Sequence, residues 1–300
     1  MMRRLLYLLL MLRDLKLFRF FIRKLPLNIS KSLRKILHSL VSTQKLNPSE
    51  IVLNFHTDLN PLVSVIIPNY NHGEFLGDAI ESVIKQSYEN IELIIVDDGS
   101  TDNSRIVLDE YKVNPKVKIF YREHFGLTQA LNYGFSFAKG SIFTWTSADN
   151  LIGKNGIETL VKSLGENKNT GMVYSDYSLI NQEGHLASSS NFRAYDQDPD
   201  NKFIIRTFRP NKLNCYLPDN FIGPFFAYRR EVALRVGEYK ELNGFEDYDY
   251  WLRIDKICHI THVPTHGDLY FYRIHQKTLT AQAKQNQTYK RLIKHLKTNE

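Results

Sequence analysis

Short apolar runs alternate with stretches of helical periodicity from Leu62 onward, and this alternation constrains the fold more than any other feature. Between the runs, apolar residues such as Leu76, Ala79, Ile80 and Val83 recur at the spacing of an amphipathic helix. The resulting β-α-β-α-β-α-β order is typical of a mostly parallel central sheet flanked by helices. The predicted strands of this sheet are residues 63–67, 91–96, 117–121 and 142–145. Residues 100–102 (Ser-Thr-Asp) offer N-cap side chains for a helix that is predicted to extend to about Tyr111.

Polar clusters follow three of these strands. They are residues 69–72 (Asn-Tyr-Asn-His), 97–100 (Asp-Asp-Gly-Ser) and 147–150 (Ser-Ala-Asp-Asn). Each cluster alone could be an ordinary turn. Because ligands of open α/β sheets bind outside the carboxyl ends of the strands, three clusters at one edge predict a binding site there.

Two common nucleotide-binding motifs that would follow the first strand are absent from the sequence. Neither G-x-G-x-x-G nor G-x-x-x-x-G-K-[ST] occurs, so a glycine-rich loop does not cradle a phosphate here. An acidic strand end favours a hard divalent cation such as Mg²⁺ or Mn²⁺, which takes oxygen ligands and bridges substrate phosphates.

Positive charge is concentrated in the first fifty residues. They hold 11 Lys and Arg against 2 acids, whereas the other 250 residues hold 28 against 30. The main body is therefore not a nucleic-acid-binding domain. Interleaved Leu, Phe, Lys and Arg indicate amphipathic helices on an anionic membrane surface. The alternative is that residues 1–50 pack on the main domain or on a partner subunit.

The apolar run 5–12 is too short to span a bilayer, which takes about 20 residues, and no signal-peptide cleavage site follows it. Two cysteines, Cys215 and Cys258, do not suggest a disulfide framework. We expect a cytoplasmic protein, with the inner face of the cytoplasmic membrane as the surface that residues 1–50 would contact.

Five motifs in order resemble the family 2 glycosyltransferases, inverting enzymes with the GT-A-type nucleotide-diphospho-sugar transferase fold. The likeness extends over residues 61–280, which would form the catalytic domain after a basic amphipathic segment (1–60) and before a basic helical tail (281–300). The motifs are residues 63–71, 96–102, 126–140, 147–150 and 246–253.

The resemblance implies a role for each matching residue of the donor site. Pro68 and Tyr70 would line the nucleotide pocket, Asp98 would hydrogen-bond the base, and Asp97 would support it. Asp149 matches the metal-binding Asp of the family's D-x-D motif. Ser147 replaces the first Asp of that motif, and a neutral hydroxyl is a weaker ligand than a carboxylate.

The resemblance also implies the residues that act on the acceptor side. Asp247 would be the base that takes the proton from the acceptor hydroxyl, with Glu246 and Asp249 as supports or as acids that favour a helix N-terminus. His275 and Arg273 would help to bind the metal or the diphosphate, although a structural histidine is the alternative.

Further predictions concern the second half of the chain. Residues 172–177 and 269–272 are predicted as strands, residues 181–184 as a hairpin turn, and Trp251 as a core side chain. Residues 188–213 lack periodicity, and the resemblance makes them acceptor-facing. The side chains that could contact a sugar or a lipid phosphate there are Phe192, Arg193 and Tyr195.

The resemblance implies transfer of a sugar, by default from a UDP-sugar, to a hydroxyl of a glycan or lipid-linked acceptor in surface-polysaccharide or lipopolysaccharide synthesis. A nucleotidyltransferase would want Arg and Lys in a glycine-rich loop after the first strand, and residues 68–77 contain neither. The remaining alternative is an inactive sugar-binding or scaffold protein of a glycan assembly complex, which the substitution at Ser147 and the basic segment suggest.

Overall fold

The computed structural model describes residues 58–166, 168–188, 192, 197–207, 222–242, 244 and 246–275. The predictions for residues 1–50, for the tail 281–300, and for Arg193, Tyr195 and Cys215 lie outside the described residues. Within those ranges, no helix combines the length and the apolar composition that a membrane crossing requires.

A seven-stranded sheet forms the centre of the fold, in the order β10-β6-β9-β4-β1-β2-β3. All neighbouring pairs are parallel except those of β9, which runs antiparallel to β4 and β6. The prediction of a mostly parallel sheet is confirmed. The strands are β1 (Val63–Asn69), β2 (Ile91–Asp98), β3 (Val117–Arg122), β4 (Ile142–Trp145), β5 (Leu151–Ile152), β6 (Thr170–Ser175), β7 (Tyr177–Ile180), β8 (Ile204–Ile205), β9 (Phe226–Arg229), β10 (His259–Val263) and β11 (Tyr270–Arg273).

Helices cover both faces of this sheet. They are α1 (Gly73–Ile84), α2 (Ser104–Tyr111), α3 (Leu127–Ser136), α4 (Gly156–Glu166), α5 (Arg230–Val236) and α6 (Glu246–Asp255). Val65 and Ile67 of β1 belong to one apolar cluster, and Ile66 between them belongs to another. Since successive side chains of a strand point to opposite faces, both faces of β1 are buried, which explains its continuous apolar run.

The sequence predicted one strand over residues 172–177, but the structure has two strands there, and they belong to different sheets. The structure ends β6 at Ser175 and begins β7 at Tyr177, and β7 joins a four-stranded sheet in the order β5-β11-β7-β8. Asp176 lies at the break, buried, and its carboxylate accepts hydrogen bonds from Thr207 N at 2.8 Å and His262 Nε2 at 2.9 Å. Thr207 and His262, which are distant in sequence, thus hold the side chain of Asp176 at the point where one strand ends and the next begins.

Three local predictions have clear outcomes. The helix expected to be capped by residues 100–102 begins later, at Ser104, and Asp102 instead accepts the backbone N–H of Gly73 at 2.9 Å and of Ser104 at 3.0 Å. The hairpin at 181–184 is confirmed, since Gly184 N donates to Asn181 O at 3.1 Å. Trp251 is fully buried, as predicted.

Candidate functional site

The first two polar clusters interlock at the carboxyl ends of β1 and β2. Asn69 Nδ2 donates to Asp97 Oδ1 at 2.8 Å, and the Ser100 hydroxyl donates to the same oxygen. Ser100 Oγ also accepts the backbone N–H of Asn71 at 2.9 Å. Asn71 adopts a positive φ of 55°, a conformation that Asn tolerates better than most residues. Asp97 therefore fixes the loop that follows β1.

Asp98 anchors the loop between β3 and α3. Asp98 is 2% exposed, and its carboxylate accepts the backbone N–H of Gly126 at 2.7 Å and of Phe125 at 3.1 Å. Arg122 Nε lies 3.3 Å from Oδ1, and His124 Nδ1 lies 2.9 Å from Oδ2. Four protein groups thus surround the carboxylate. Its hydrogen bond to a base stays a prediction, and its structural task is evident.

An aromatic pair lies beside this anchor. Tyr70 is 41% exposed, and its ring stacks on the His124 imidazole with centroids 3.8 Å apart and planes 17° from parallel. Pro68, by contrast, is buried within β1 opposite Val96. Tyr70 therefore presents an accessible flat ring near Asp98, which a planar base could stack on.

Asp149 meets two histidines from distant parts of the chain. Its Oδ2 lies 2.9 Å from His275 Nε2, and His72 joins them so that one ligand atom from each of the three lies within 4.8 Å of the others. Asp149 follows β4, His275 follows β11, and His72 immediately precedes α1. These three residues could hold a metal ion.

The donor chemistry of Asp149 fits a cation. Asp149 is 6% exposed, and its Oδ1 is buried with no hydrogen-bond partner in the described part of the chain. A buried, unsatisfied carboxylate oxygen carries a desolvation cost that a metal ion would remove. Ser147, the predicted weak ligand, is half-buried, and its carbonyl accepts the N–H of Asn150 at 3.2 Å in the turn after β4.

Arg273 holds the backbone around Asp149. Its Nε donates to Asp149 O at 2.8 Å, and its own N–H donates to Asn150 Oδ1 at 2.8 Å. The buried guanidinium also donates to Gln182 O at 2.6 Å and lies over the Phe75 ring at 4.7 Å. Burial lowers the pKa of Arg273, although Asp78 and Asp149 favour its charged form. These contacts give Arg273 a positioning role.

Asp247 lies in the first turn of α6 with two further acids. Glu246 is buried and accepts the backbone N–H of Gly244 at 2.9 Å, and Asp249 binds Arg253 Nε at 2.8 Å. Asp247 is half-buried, and its Oδ1 accepts the N–H of Tyr248 at 2.7 Å. Glu246 and Asp249 thus have structural partners, as the helix-acid interpretation expects. The role of Asp247 as a base stays a prediction.

Sequence reasoning did not assign His72, Arg122 or His124 to the site. His72 belonged to a polar cluster that was predicted to lie at the sheet edge, but its approach to His275 depends on residues about 200 positions apart. Arg122 ends β3 and His124 lies just after it, and no obvious polar cluster had been identified after this predicted strand. The signal that could have revealed them is the presence of two basic side chains, Arg122 and His124, at the end of that strand.

Comparisons with known proteins place the fold and the family. A model described as glycosyl transferase family 2 matches residues 64–237. The glycosyltransferase GlyG of Streptococcus pneumoniae is 40% identical over 226 residues, which are 72% of this chain and 71% of that protein. An uncharacterized glycosyltransferase of Rickettsia felis is 35% identical over 207 residues, or 67% of this chain. The chain spans about a third of the length of that relative, 32%.

Two solved structures share the fold at low identity. S. aureus TarS 1–349 in complex with UDP-GlcNAc has a TM-score of 0.57 and 18% identity, covering 73% of this chain and 61% of that one. The mannosyltransferase PcManGT from Pyrobaculum calidifontis, in complex with GDP-Man and Mn²⁺, has a TM-score of 0.55 and 19% identity, covering 76% and 61%. These likenesses confirm the GT-A-type fold. The family model and the identity to GlyG show that the chain belongs to glycosyl transferase family 2.

Proposed function

We propose that the chain is an inverting glycosyltransferase that moves a sugar from a nucleotide-diphosphate donor, with a UDP-sugar as the default, to a hydroxyl of a glycan or lipid-linked acceptor. One observation carries the proposal: Asp149, with its orphaned Oδ1, and His72 follow the carboxyl ends of parallel strands β4 and β1, and His275 joins them from the end of β11. In open α/β sheets this edge is where nucleotides bind.

The donor would lie between the aromatic pair and the Asp149 cluster. Tyr70, stacked on His124, would pack against the base, and the loops fixed by Asp97 and Asp98 would shape the pocket. Pro68 would support that pocket from within β1. Asp149 with His275, and Ser147 through a weaker hydroxyl contact, would hold Mn²⁺ or Mg²⁺. When bound, such an ion neutralises the diphosphate as it departs.

The transfer itself would need one base. Asp247 would accept the proton of the acceptor hydroxyl while that oxygen forms a bond to the anomeric carbon on the face opposite the diphosphate. The bond from that carbon to the diphosphate oxygen would break, and the nucleoside diphosphate would leave. Glu246 would hold the turn before α6, and Arg273 would keep Asp149 in position.

The cell-surface context rests on residues outside the described ranges. We propose that the basic segment 1–60 attaches the catalytic domain, residues 61–280, to the inner face of the cytoplasmic membrane, where lipid-linked acceptors of surface polysaccharide or lipopolysaccharide are found. Eleven cationic side chains among the first fifty residues support attraction to anionic lipid. No nucleic acid would be a partner, since the rest of the chain is slightly acidic.

The proposal is tested by nucleotide release. Purified protein is incubated with a panel of UDP-, GDP- and dTDP-sugars, with Mn²⁺, Mg²⁺ or EDTA. We expect slow release of one nucleotide that stops in EDTA and in Asp149→Ala. If no donor is hydrolysed and calorimetry detects no nucleotide binding, the enzyme proposal fails and a scaffold role, which the serine at 147 would suit, takes its place.

A further inference from the structure

We propose that His72 is a third metal ligand, and that the resulting set of two imidazoles and one carboxylate selects a transition-metal ion such as Mn²⁺, Co²⁺ or Ni²⁺ over Mg²⁺. The proposal rests on the donor-site part of the proposed function. It is nevertheless testable without a nucleotide sugar, because metal binding can be measured directly.

The spacing of the three ligand atoms suits one ion. With metal–ligand bonds of about 2.1 Å, ligands at a right angle lie about 3.0 Å apart and opposite ligands about 4.2 Å apart. His275 Nε2 and Asp149 Oδ2 are separated by 2.9 Å, and all three ligand atoms lie within 4.8 Å of one another. Small adjustments of the side chains would bring all three onto a common ion.

Neighbouring groups hold the ligands in place. Arg273 Nε fixes the carbonyl of Asp149 at 2.8 Å. The His275 ring packs on Phe75 with centroids 5.0 Å apart and meets the His72 ring edge-on at 5.8 Å. The His72 carbonyl accepts two backbone N–H groups in the first turn of α1, from Phe75 at 2.9 Å and Leu76 at 3.0 Å. Because these hydrogen bonds to α1 fix the backbone of His72, its imidazole needs to lose little conformational freedom to reach Asp149 and His275.

The donor atoms decide the selectivity. Mg²⁺ strongly prefers oxygen ligands and gives up its waters reluctantly. Imidazole nitrogen suits later transition metals, whose affinity rises from Mn²⁺ through Co²⁺ to Ni²⁺. Ser147 removes one carboxylate from the family's motif, and His72 adds a nitrogen. The exchange moves the site from an oxygen-dominated set to one in which nitrogen ligands outnumber the carboxylate.

The test is metal titration of the full chain without nucleotide, by calorimetry and by the visible absorption of bound Co²⁺. The variants are His72→Ala, His72→Asp and, as a matched control, His259→Ala, which removes an exposed histidine at the start of β10. We expect the wild type to bind Co²⁺ at least tenfold more tightly than Mg²⁺. His72→Ala would weaken Co²⁺ binding tenfold or more and change the Co²⁺ spectrum, and His259→Ala would do neither.

His72→Asp guards against a folding artefact, since Asp is a favourable residue before the first turn of a helix. It supplies an oxygen in place of nitrogen, so the ratio of Co²⁺ to Mg²⁺ affinity should fall at least threefold. Unchanged Co²⁺ affinity in His72→Ala, or an unchanged ratio in His72→Asp, would overturn the proposal. If metal-dependent nucleotide release persists in that case, the proposed function stands without His72; if wild-type release also fails, both are rejected.

Discussion

Replacing Asp98 should destabilise the protein far more than replacing its neighbour Asp97. Asp98 accepts two backbone N–H groups, from Phe125 and Gly126, and pairs with the Arg122 guanidinium at 3.3 Å. Removing one partner of a buried ion pair leaves the other charge uncompensated and costs about 3–5 kcal/mol. We therefore expect Asp98→Ala to lower the free energy of unfolding by about 4 kcal/mol.

Asp97 provides the matched control, since it is the same residue type, on the same strand and similarly buried. Its carboxylate accepts hydrogen bonds from two neutral groups, Asn69 Nδ2 and the Ser100 hydroxyl. Loss of these bonds should cost about 1–2 kcal/mol in Asp97→Ala. Since about 1 kcal/mol shifts the melting temperature of a domain this size by about 2–4 °C, the two variants should melt roughly 5 °C or more apart.

The assay is urea denaturation followed by tryptophan fluorescence and circular dichroism, with a thermal melt as a second readout. Coincident transitions and equal m values show that the free energies are comparable. If Asp98→Ala loses no more stability than Asp97→Ala, the four groups around Asp98 do not anchor the β3–α3 loop. The role that remains for the Asp98 carboxylate would then be to bind a ligand.

Three further outcomes follow from buried groups. Burial raises the pKa of Asp176, but hydrogen bonds led by that from His262 outweigh it and hold the pKa at about 2 rather than 3.8. This stabilisation of about 2 kcal/mol is present above pH 4 and is lost as pH falls towards 2. In Asp176→Asn, the free energy of unfolding measured by urea denaturation should therefore depend less on pH between 4 and 2. Gly153→Ala should lower urea stability by about 1–3 kcal/mol, because a Cβ there would lie 2.0 Å from a backbone oxygen. Burial raises the pKa of Cys258 to about 12, so in a Cys215→Ser background a thiol reagent at pH 7.5 should react slowly until the protein unfolds.

The first half of the fold could be predicted because its signals are local. The apolar runs of β1 to β4 and the helical spacing between them each depend on a dozen residues or fewer, and the structure reproduces them closely. The break at Asp176 was missed because its carboxylate is held by His262, 86 residues away. The antiparallel β9 was missed for a similar reason, since Phe226–Arg229 pairs with strands from distant parts of the chain.

The candidate site shows the same division. The family resemblance predicted that Asp149 and His275 belong to one site, and in the structure Asp149 Oδ2 lies 2.9 Å from His275 Nε2. His72 could not be assigned, because a histidine after Asn in a loop has ordinary explanations until the third dimension places it. Arg273 was expected to act by charge on a ligand, yet its guanidinium is buried and its donors bind backbone carbonyls. Spacing along the chain does not reveal which way such a long side chain turns.

Separating nucleotide binding from sugar transfer tests the central claim most directly. The measurement compares Asp149→Ala with Asp247→Asn, using calorimetry for metal-dependent nucleotide binding and nucleotide release for turnover with the donor that the wild type accepts. We predict that Asp149→Ala loses metal-dependent binding and turnover together, whereas Asp247→Asn keeps the binding within about threefold and loses at least 10²-fold in turnover. Wild-type turnover in both variants would contradict the account, because neither carboxylate would then belong to a working glycosyltransferase site.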